Sequence, residues 1–418
     1  MTDSNDKPTD GESSSLKKSK KKQKKEDAWR PEGPRDPFAL LDTLPEKKQQ
    51  EIQRALHLFS LAPTTPKTLQ QAKKHTYRFW NTQPVPKLDD TITTQGPIAE
   101  GEVSVREEPY SLPQGFSWDT LDLSSPPVLK ELCGLLNENY TEDDDNTIRL
   151  DFSLEYLQWE KRVVQVKLLC VHKKLRFKRM TPVLIRELTR RVNQQGLYQA
   201  LYTAGTVLPT PISSCRLWHR PLNPRKLMEV NYPGLRQNIT LQRALKLNRL
   251  PEVTKIQGLR PMTKEDAPGI QSLLQKNLCK FQLSPLLSLQ EVEHWLLPRE
   301  NVVDTYVVAN DDGALTDVVS FYSVSSRVLN HPVHSGLRAA HLLYVASAAT
   351  EMTDLMEDTL VLAKAKGFDI FCALDVMDNE GFLEKLKFSI GDRMVHYYLY
   401  NWMCPNMSPD KVGLVLPN

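Results

Sequence analysis

Residues 168–188 read LLCVHKKLRFKRMTPVLIREL: an apolar run, then Lys173, Lys174, Arg176, Lys178 and Arg179, then Thr181-Pro182 opening a helical pattern in Leu184, Leu188 and Val192. A helix start offers unpaired N–H groups and a partial positive charge, so one ringed by cations suits a compact cluster of phosphates. Coenzyme A carries a pyrophosphate and a ribose phosphate and matches so short a loop better than a long groove does. A solvated face or a contact with RNA is the plainer use of the same charges.

The other reactive types in this stretch carry less. Cys170 lies in the apolar run and reads as a small buried hydrophobe rather than a nucleophile. His172 has no partner pattern and reads as a loop histidine. The six cysteines are scattered without a C-x-x-C pair, and no H-E-x-x-H occurs, so no metal is expected and the thiols are expected to be reduced.

The elements that must position these residues follow from pattern. RVVQVKLLCV, residues 162–171, is β-branched and apolar enough for a buried strand, and Thr181 as N-cap with Pro182 in the first turn opens a helix behind the cationic loop. LRPMTKEDAPGIQSLLQKNL repeats the plan with Thr263 and Asp266 as a capping pair. Further strands are expected over 305–308, 318–322 and 368–374, and helices over 46–59, 126–139, 291–296, 352–366 and 381–387. HTYRFWNTQPVPKLDD, with Pro84 and Pro86, reads as extended. The fold class is therefore α/β, an α+β mixed sheet, and 418 residues with 40% apolar side chains are enough for two halves.

The net charge is only +3, but seven lysines fall in SLKKSKKKQKK, so residues 1–36 read as a disordered lysine-rich arm. Such an arm suits ribosomal RNA or an acidic membrane surface, or simply aids solubility. With no apolar leader and no run of 18 apolar residues, the expected location is cytoplasmic, peripheral at a ribosome or membrane if the arm binds there.

FWNTQPVPKL, LLCVHKKLRFKRMTPVLIRELTRRV, YTAGTVLPTPISSCRLWHRPLNPRKL, EVEHWLLPRENVVDT, KFSIGD and KVGLVLPN together resemble the N-myristoyltransferase family over almost everything after Asp36. The resemblance implies two acetyltransferase-like (GNAT) halves of one duplicated fold. Residues 37–218 would bind myristoyl-CoA, and residues 219–418 would form much of the peptide groove. The implied reaction transfers myristate to an N-terminal glycine amine by direct attack on the thioester, with myristoyl-CoA as co-substrate and no bound cofactor. Arg78, Phe79 and Trp80 fall where the family contacts the acyl-CoA, and Leu168, Leu169, Cys170 and Val171 fall on the strand whose amides hold the thioester carbonyl. Arg176, Phe177, Lys178, Arg179, Met180 and Thr181 match the phosphate loop, and Thr203, His219 and Asp392 match positions lining the peptide groove. The family's base, its chain-terminal carboxylate, falls on Asn418.

The chain departs from the family pattern in specific places. A block longer than one strand is missing between Glu160 and Lys161, which truncates the first half and predicts unpaired backbone at a sheet edge. Lys167, Leu168 and Phe177 replace an Asn, a Phe and a small residue, KFSIGDR replaces K-F-G-x-G-D-G, and Pro417-Asn418 sets the carboxylate one residue further on. A homologue that binds acyl-CoA or glycine peptides without turnover is the alternative these changes support.

Overall fold

The structure, a computed structural model, describes residues 66–99, 105–140, 147–159, 165–166, 168–178, 180–233, 235, 239–329 and 331–417. The lysine arm, the helix expected over 46–59, Lys167, Arg179, Asn418 and the junction between Glu160 and Lys161 lie outside these residues. All described residues belong to one compact unit, Thr65–Asn418.

Ten strands form one mixed sheet among the described residues. They are β1 (Ile148–Leu150), β2 (Gln165–Val166), β3 (Ala200–Ala204), β4 (Ser213–Pro221), β5 (Arg260–Pro261), β6 (Val303–Ala309), β7 (Leu315–Val328), β8 (Gly336–Ser347), β9 (Ile370–Leu374) and β10 (Ser389–Tyr400). Their order is β2-β3-β10-β4-β9-β8-β7-β6-β5, with β1 paired to β7 off this path. The β2–β3 and β9–β8 pairs are parallel and the others antiparallel. The mixed α/β sheet expected from the sequence is thus present. One sheet carries both halves of the chain, and β4 spans the boundary drawn between residues 218 and 219.

Both faces of the sheet are covered, so the central strands are apolar throughout rather than alternating. In β9 Ile370, Cys372 and Leu374 enter one core, with Leu129 and Leu136 of helix α1 (Pro126–Asn139); Phe371 and Ala373 enter the other. The second core also holds Leu355, Met356 and Leu360 of a long helix, Met352–Ala365. In β4 the same alternation puts Cys215 and Leu217 in the first core and Trp218 against the second.

Several expectations are met closely. The helices over 126–139 and 352–365 appear, and the Thr263–Asp266 pair forms a capping box, Thr263 N donating to Asp266 Oδ2 at 2.7 Å. Others are corrected. Among the described residues, the strand expected over 162–171 survives as β2 alone, and residues 168–172 have no regular assignment, so Leu168–Val171 are not ladder residues. Lys173 N donates to Asn139 Oδ1 at 2.8 Å and the Arg176 guanidinium donates to the Asn139 carbonyl, which draws the chain out of the sheet to the end of α1. The cationic loop is itself a 3-10 helix, Lys173–Lys178. Helix α2 runs Met180–Asn193, so Thr181 sits in its first turn and is not its cap. The helix expected over 381–387 is only Glu380–Leu383, because Lys387 turns to φ 62 and Phe388 N closes onto the Leu383 carbonyl at 2.9 Å.

Helix α2 is fixed by a buried carboxylate. Glu187, 2% exposed, accepts from Arg190 at 2.7 and 3.0 Å, from Arg191 at 2.9 Å and from the Tyr110 N–H at 3.1 Å. The Arg190 hydrogen bonds are the largest cause holding its carboxyl down to about 2 from an ordinary 4.5. A depressed carboxyl stabilises the fold fully above its unfolded value and loses that effect as pH falls through the folded one. In Glu187→Gln, therefore, thermal midpoints measured from pH 7 to pH 2 should start lower than wild type and converge with it between pH 4.5 and about 2. A constant gap across that window would exclude this role.

Candidate active site

An aromatic wall forms where the sequence placed acyl contacts. Trp80 stacks on Tyr202 at 5.7 Å, Tyr202 stacks on Tyr398 at 5.1 Å, and Phe79 meets Trp80 edge-on at 5.3 Å. Lys87 Nζ donates to the Trp80 carbonyl at 3.1 Å and fixes that turn. Below the wall lies a mainly apolar cavity of about 260 Å³ lined by Trp80, Leu169, Ile185, Leu188, Ala200 and Thr203 among others. Arg78 is exposed beside it, and the Arg186 guanidinium stands 5.7 Å from the Phe79 ring.

The cationic loop begins four residues after Leu169. Lys174, Arg176 and Lys178 are exposed, and Lys178 lies 5.7 Å from the Phe116 ring. Met180 is buried at the start of α2, behind the loop. Arg176 has five donors, of which the Asn139 and Val171 carbonyls take some, so it both pins the loop and keeps charge at the surface. Burial raises the Cys170 thiol above its ordinary value, which leaves it a poor nucleophile. His172 Nδ1 is taken by the Lys174 N–H at 3.2 Å. Among the described residues no group of His, Cys, Asp or Glu is arranged to hold a metal ion.

The three residues matched to a peptide groove are spread over this surface. Thr203 lines the apolar cavity with Trp80 and Leu169. His219 is 5% exposed, its Nδ1 3.3 Å from Cys372 Sγ and 3.4 Å from the Tyr232 hydroxyl. Asp392 lines a second cavity of about 520 Å³ with Trp218, Phe388 and Ile390, on the opposite face of β4 from His219. Tyr232, His341 and Cys372 around His219 were not singled out by sequence, because cross-strand neighbours share no spacing along the chain.

The C-terminal segment threads into the core. Met377 N donates to the Val412 carbonyl at 3.1 Å, Gly413 N to Leu283 at 2.7 Å, and the Tyr397 hydroxyl to Leu414 at 2.8 Å. A Cβ at Gly413 would lie 2.5 Å from Phe281, so only glycine passes there. Val415, Leu416 and Pro417 are buried.

The model of the myristoyl-CoA:protein N-myristoyltransferase C-terminal domain matches residues 229–415, and that of the N-terminal domain matches residues 98–163 and 160–215. Glycylpeptide N-tetradecanoyltransferase 2 of Danio rerio is 52% identical over 412 residues, covering 89% of this chain and 84% of its own.

The chain belongs to the N-myristoyltransferase family.

The Bos taurus glycylpeptide N-tetradecanoyltransferase 2 is 50% identical over 413 residues, 90% of this chain and 83% of its own. Among solved structures, the Saccharomyces cerevisiae N-myristoyltransferase with bound myristoyl-CoA matches at a TM-score of 0.77 and 33% identity, covering 82% of this chain and 99% of that one. The N-myristoyltransferase N-terminal domain matches in two stretches that overlap at 160–163, the place where the sequence pattern leads one to expect a missing block. In the sheet the strand order ends at β2, just beyond that point. No helix of the described residues is long and apolar enough to cross a membrane.

Proposed function

We propose that this chain transfers myristate from myristoyl-CoA to the N-terminal glycine amine of proteins and peptides. The observation that carries the reading is the apolar cavity that joins Trp80, Leu169 and Thr203 immediately beside the cationic loop. A fatty chain needs the first and the phosphates of coenzyme A need the second. The acyl chain would enter along Trp80, Leu188 and Ala200, with Arg78 and Phe79 at its mouth. Arg176 through Thr181 would take the phosphates. Residues 37–218 would thus serve the thioester and 219–418 the peptide, with Thr203 and His219 along its path and Asp392 turned to the second cavity.

An α-amine has a pKa near 8, so at neutral pH most of it must lose a proton before it can attack. The Asn418 carboxylate, which follows the buried residues Val415, Leu416 and Pro417, would accept that proton as the amine nitrogen bonds to the thioester carbon. Amides of Leu168 and Leu169, outside any ladder, would hold the oxyanion, each donor being worth about 3 kcal/mol in other acyl-transfer enzymes. The C–S bond then breaks and the thiolate leaves as coenzyme A, taking up a proton. No covalent enzyme intermediate is needed, in keeping with the half-buried Cys170, whose thiol burial raises above its ordinary value. The lysine arm would hold the enzyme peripherally at a ribosome or an acidic membrane surface within the cytoplasm.

Incubation of the full chain with myristoyl-CoA and an octapeptide beginning Gly-Asn-Ala-Ala-Ser should yield acylated peptide and free coenzyme A in equal amounts. No product above a protein-free control would overturn the reading, and tight myristoyl-CoA binding with zero turnover would establish the non-catalytic alternative. Chain-length choice supplies a finer check. Ala200→Phe, which fills part of the cavity, should lower kcat/KM for myristoyl-CoA at least tenfold relative to decanoyl-CoA, each buried CH2 being worth about 0.8 kcal/mol. An unchanged ratio would move the acyl chain elsewhere.

A further inference from the structure

Five adjacent strands carry one row of side chains on a single face of the sheet. Ser389 of β10 pairs with His219 of β4, His219 with Cys372 of β9, Cys372 with His341 of β8, and His341 with Tyr322 of β7. Tyr232 stands edge-on to His219 with ring centroids 5.7 Å apart and closes one side. This row is uncharged at neutral pH. Burial takes His219 down to about 4 and His341 down to about 3, and pushes the Cys372 thiol up to about 12. The Cys372–His219 pair is therefore no thiolate–imidazolium nucleophile, short as its contact is.

One cation reaches all of these groups. The charge of Arg393 acts on His219, His341, Cys372 and Tyr232 alike. Its place follows from the strand register. Ile390 pairs with Trp218 and Met394 with Arg216, so residues 391–393 bulge opposite Leu217. Alternation counted from either side of the bulge puts Ile390 and Asp392 on the Trp218 face, where both line the second cavity, and Gly391 and Arg393 on the His219 face. The distance agrees: a Cβ on Gly391 would fall 2.4 Å from His219 Nε2. Arg393 is exposed, and among the described residues no carboxylate or carbonyl is bonded to it. Asp392, its neighbour in sequence, cannot neutralise Arg393 beside this row because it lines the second cavity on the other face.

We infer that Arg393 selects the peptide substrate, favouring an acidic side chain in the polypeptide that passes its exposed guanidinium beside the His219–Cys372–His341 row and rejecting a basic one. The inference rests on the acyl-transfer reading, which supplies the peptide. Among the described residues the guanidinium is the charge that acts on this neutral row. An exposed ion pair tightens binding at most about fivefold and a like-charge pair weakens it by a similar factor, so the preference for Glu over Lys should be about tenfold.

The test separates the two readings. Octapeptides beginning Gly-Asn-Ala-Ala-Ser, labelled at the C-terminus and carrying Glu, Gln or Lys at positions 6, 7 or 8, are bound to the full chain loaded with a thioether analogue of myristoyl-CoA. Fluorescence anisotropy should give about tenfold tighter binding for Glu than for Lys at one or more of these positions. In Arg393→Gln the ratio should fall to within about twofold, while Arg393→Lys should keep it. A Glu/Lys ratio that is near one in wild type, or that Arg393→Gln leaves unmoved, overturns the inference, as does binding of none of the peptides. Turnover of the Gln peptides with myristoyl-CoA, measured in parallel, reports on acyl transfer alone: product without charge preference sinks only the role of Arg393, and charge preference without product sinks only the reaction.

Discussion

Replacing the C-terminal carboxylate by a carboxamide, through ligation of a synthetic peptide ending at Asn418, should lower kcat about 10³-fold and leave myristoyl-CoA affinity within a factor of two. Positioned general bases contribute about 10²–10⁴-fold, and the amide has the shape of the carboxylate but cannot take up the amine proton. The segment leading to it is held by backbone bonds from Met377 and Gly413 and by the Tyr397 hydroxyl, and Leu416 and Pro417 are buried, so the change should not loosen the tail. Deleting Asn418 alone moves the carboxylate to Pro417, the position the family pattern favours, and should retain turnover. A carboxamide enzyme that turns over at the wild-type rate would remove the tail from the mechanism. Gly413 sits 2.5 Å, at the Cβ it lacks, from Phe281, which explains why the segment tolerates no bulk on its way in.

The second large effect concerns the loop that opened the sequence. Reversing three exposed charges together, Lys174→Glu, Arg176→Glu and Lys178→Glu, should weaken myristoyl-CoA binding at least 100-fold by calorimetry. A charge-assisted hydrogen bond contributes about 1.5–3 kcal/mol, and three are put at risk with a helix start behind them. The loss should shrink as salt rises from 0.05 to 0.5 M, since screening weakens exposed charges most. Arg176 also bonds the Asn139 carbonyl, so the double variant Lys174→Glu with Lys178→Glu is needed as well. It leaves the tie to α1 intact and should still cost at least tenfold. Binding unchanged in the double variant would return these lysines to solvent.

How much of this was legible in the chain differs by element. The helices over 126–139 and 352–365 and the Thr263–Asp266 cap were readable because their signals are local: apolar spacing, a capping pair, proline in a first turn. β8 was not, since GLRAAHLLYVAS is rich in residues that serve a helix equally well. It is a strand because β7 and β9 supply partners on both its edges. The strand read over 162–171 failed for the converse reason: β2 has β3 on one side, and side-chain and backbone bonds to the end of α1 take the following residues out of the ladder.

By itself the sequence determined the family, the mixed α/β class and the cationic loop before a helix, because ordered motifs and charge runs are properties of the chain taken in line. Only the tertiary structure decided which distant residues meet. It set Trp80 and Thr203 around one cavity with Leu169, put Asp392 and Arg393 on opposite faces of one strand, and laid His219 in a row with Cys372 and His341, each more than 100 residues further along the chain. The reason is that strand register and bulges, set by packing on both faces of a sheet, fix where a side chain points, and a shift of one residue reverses it.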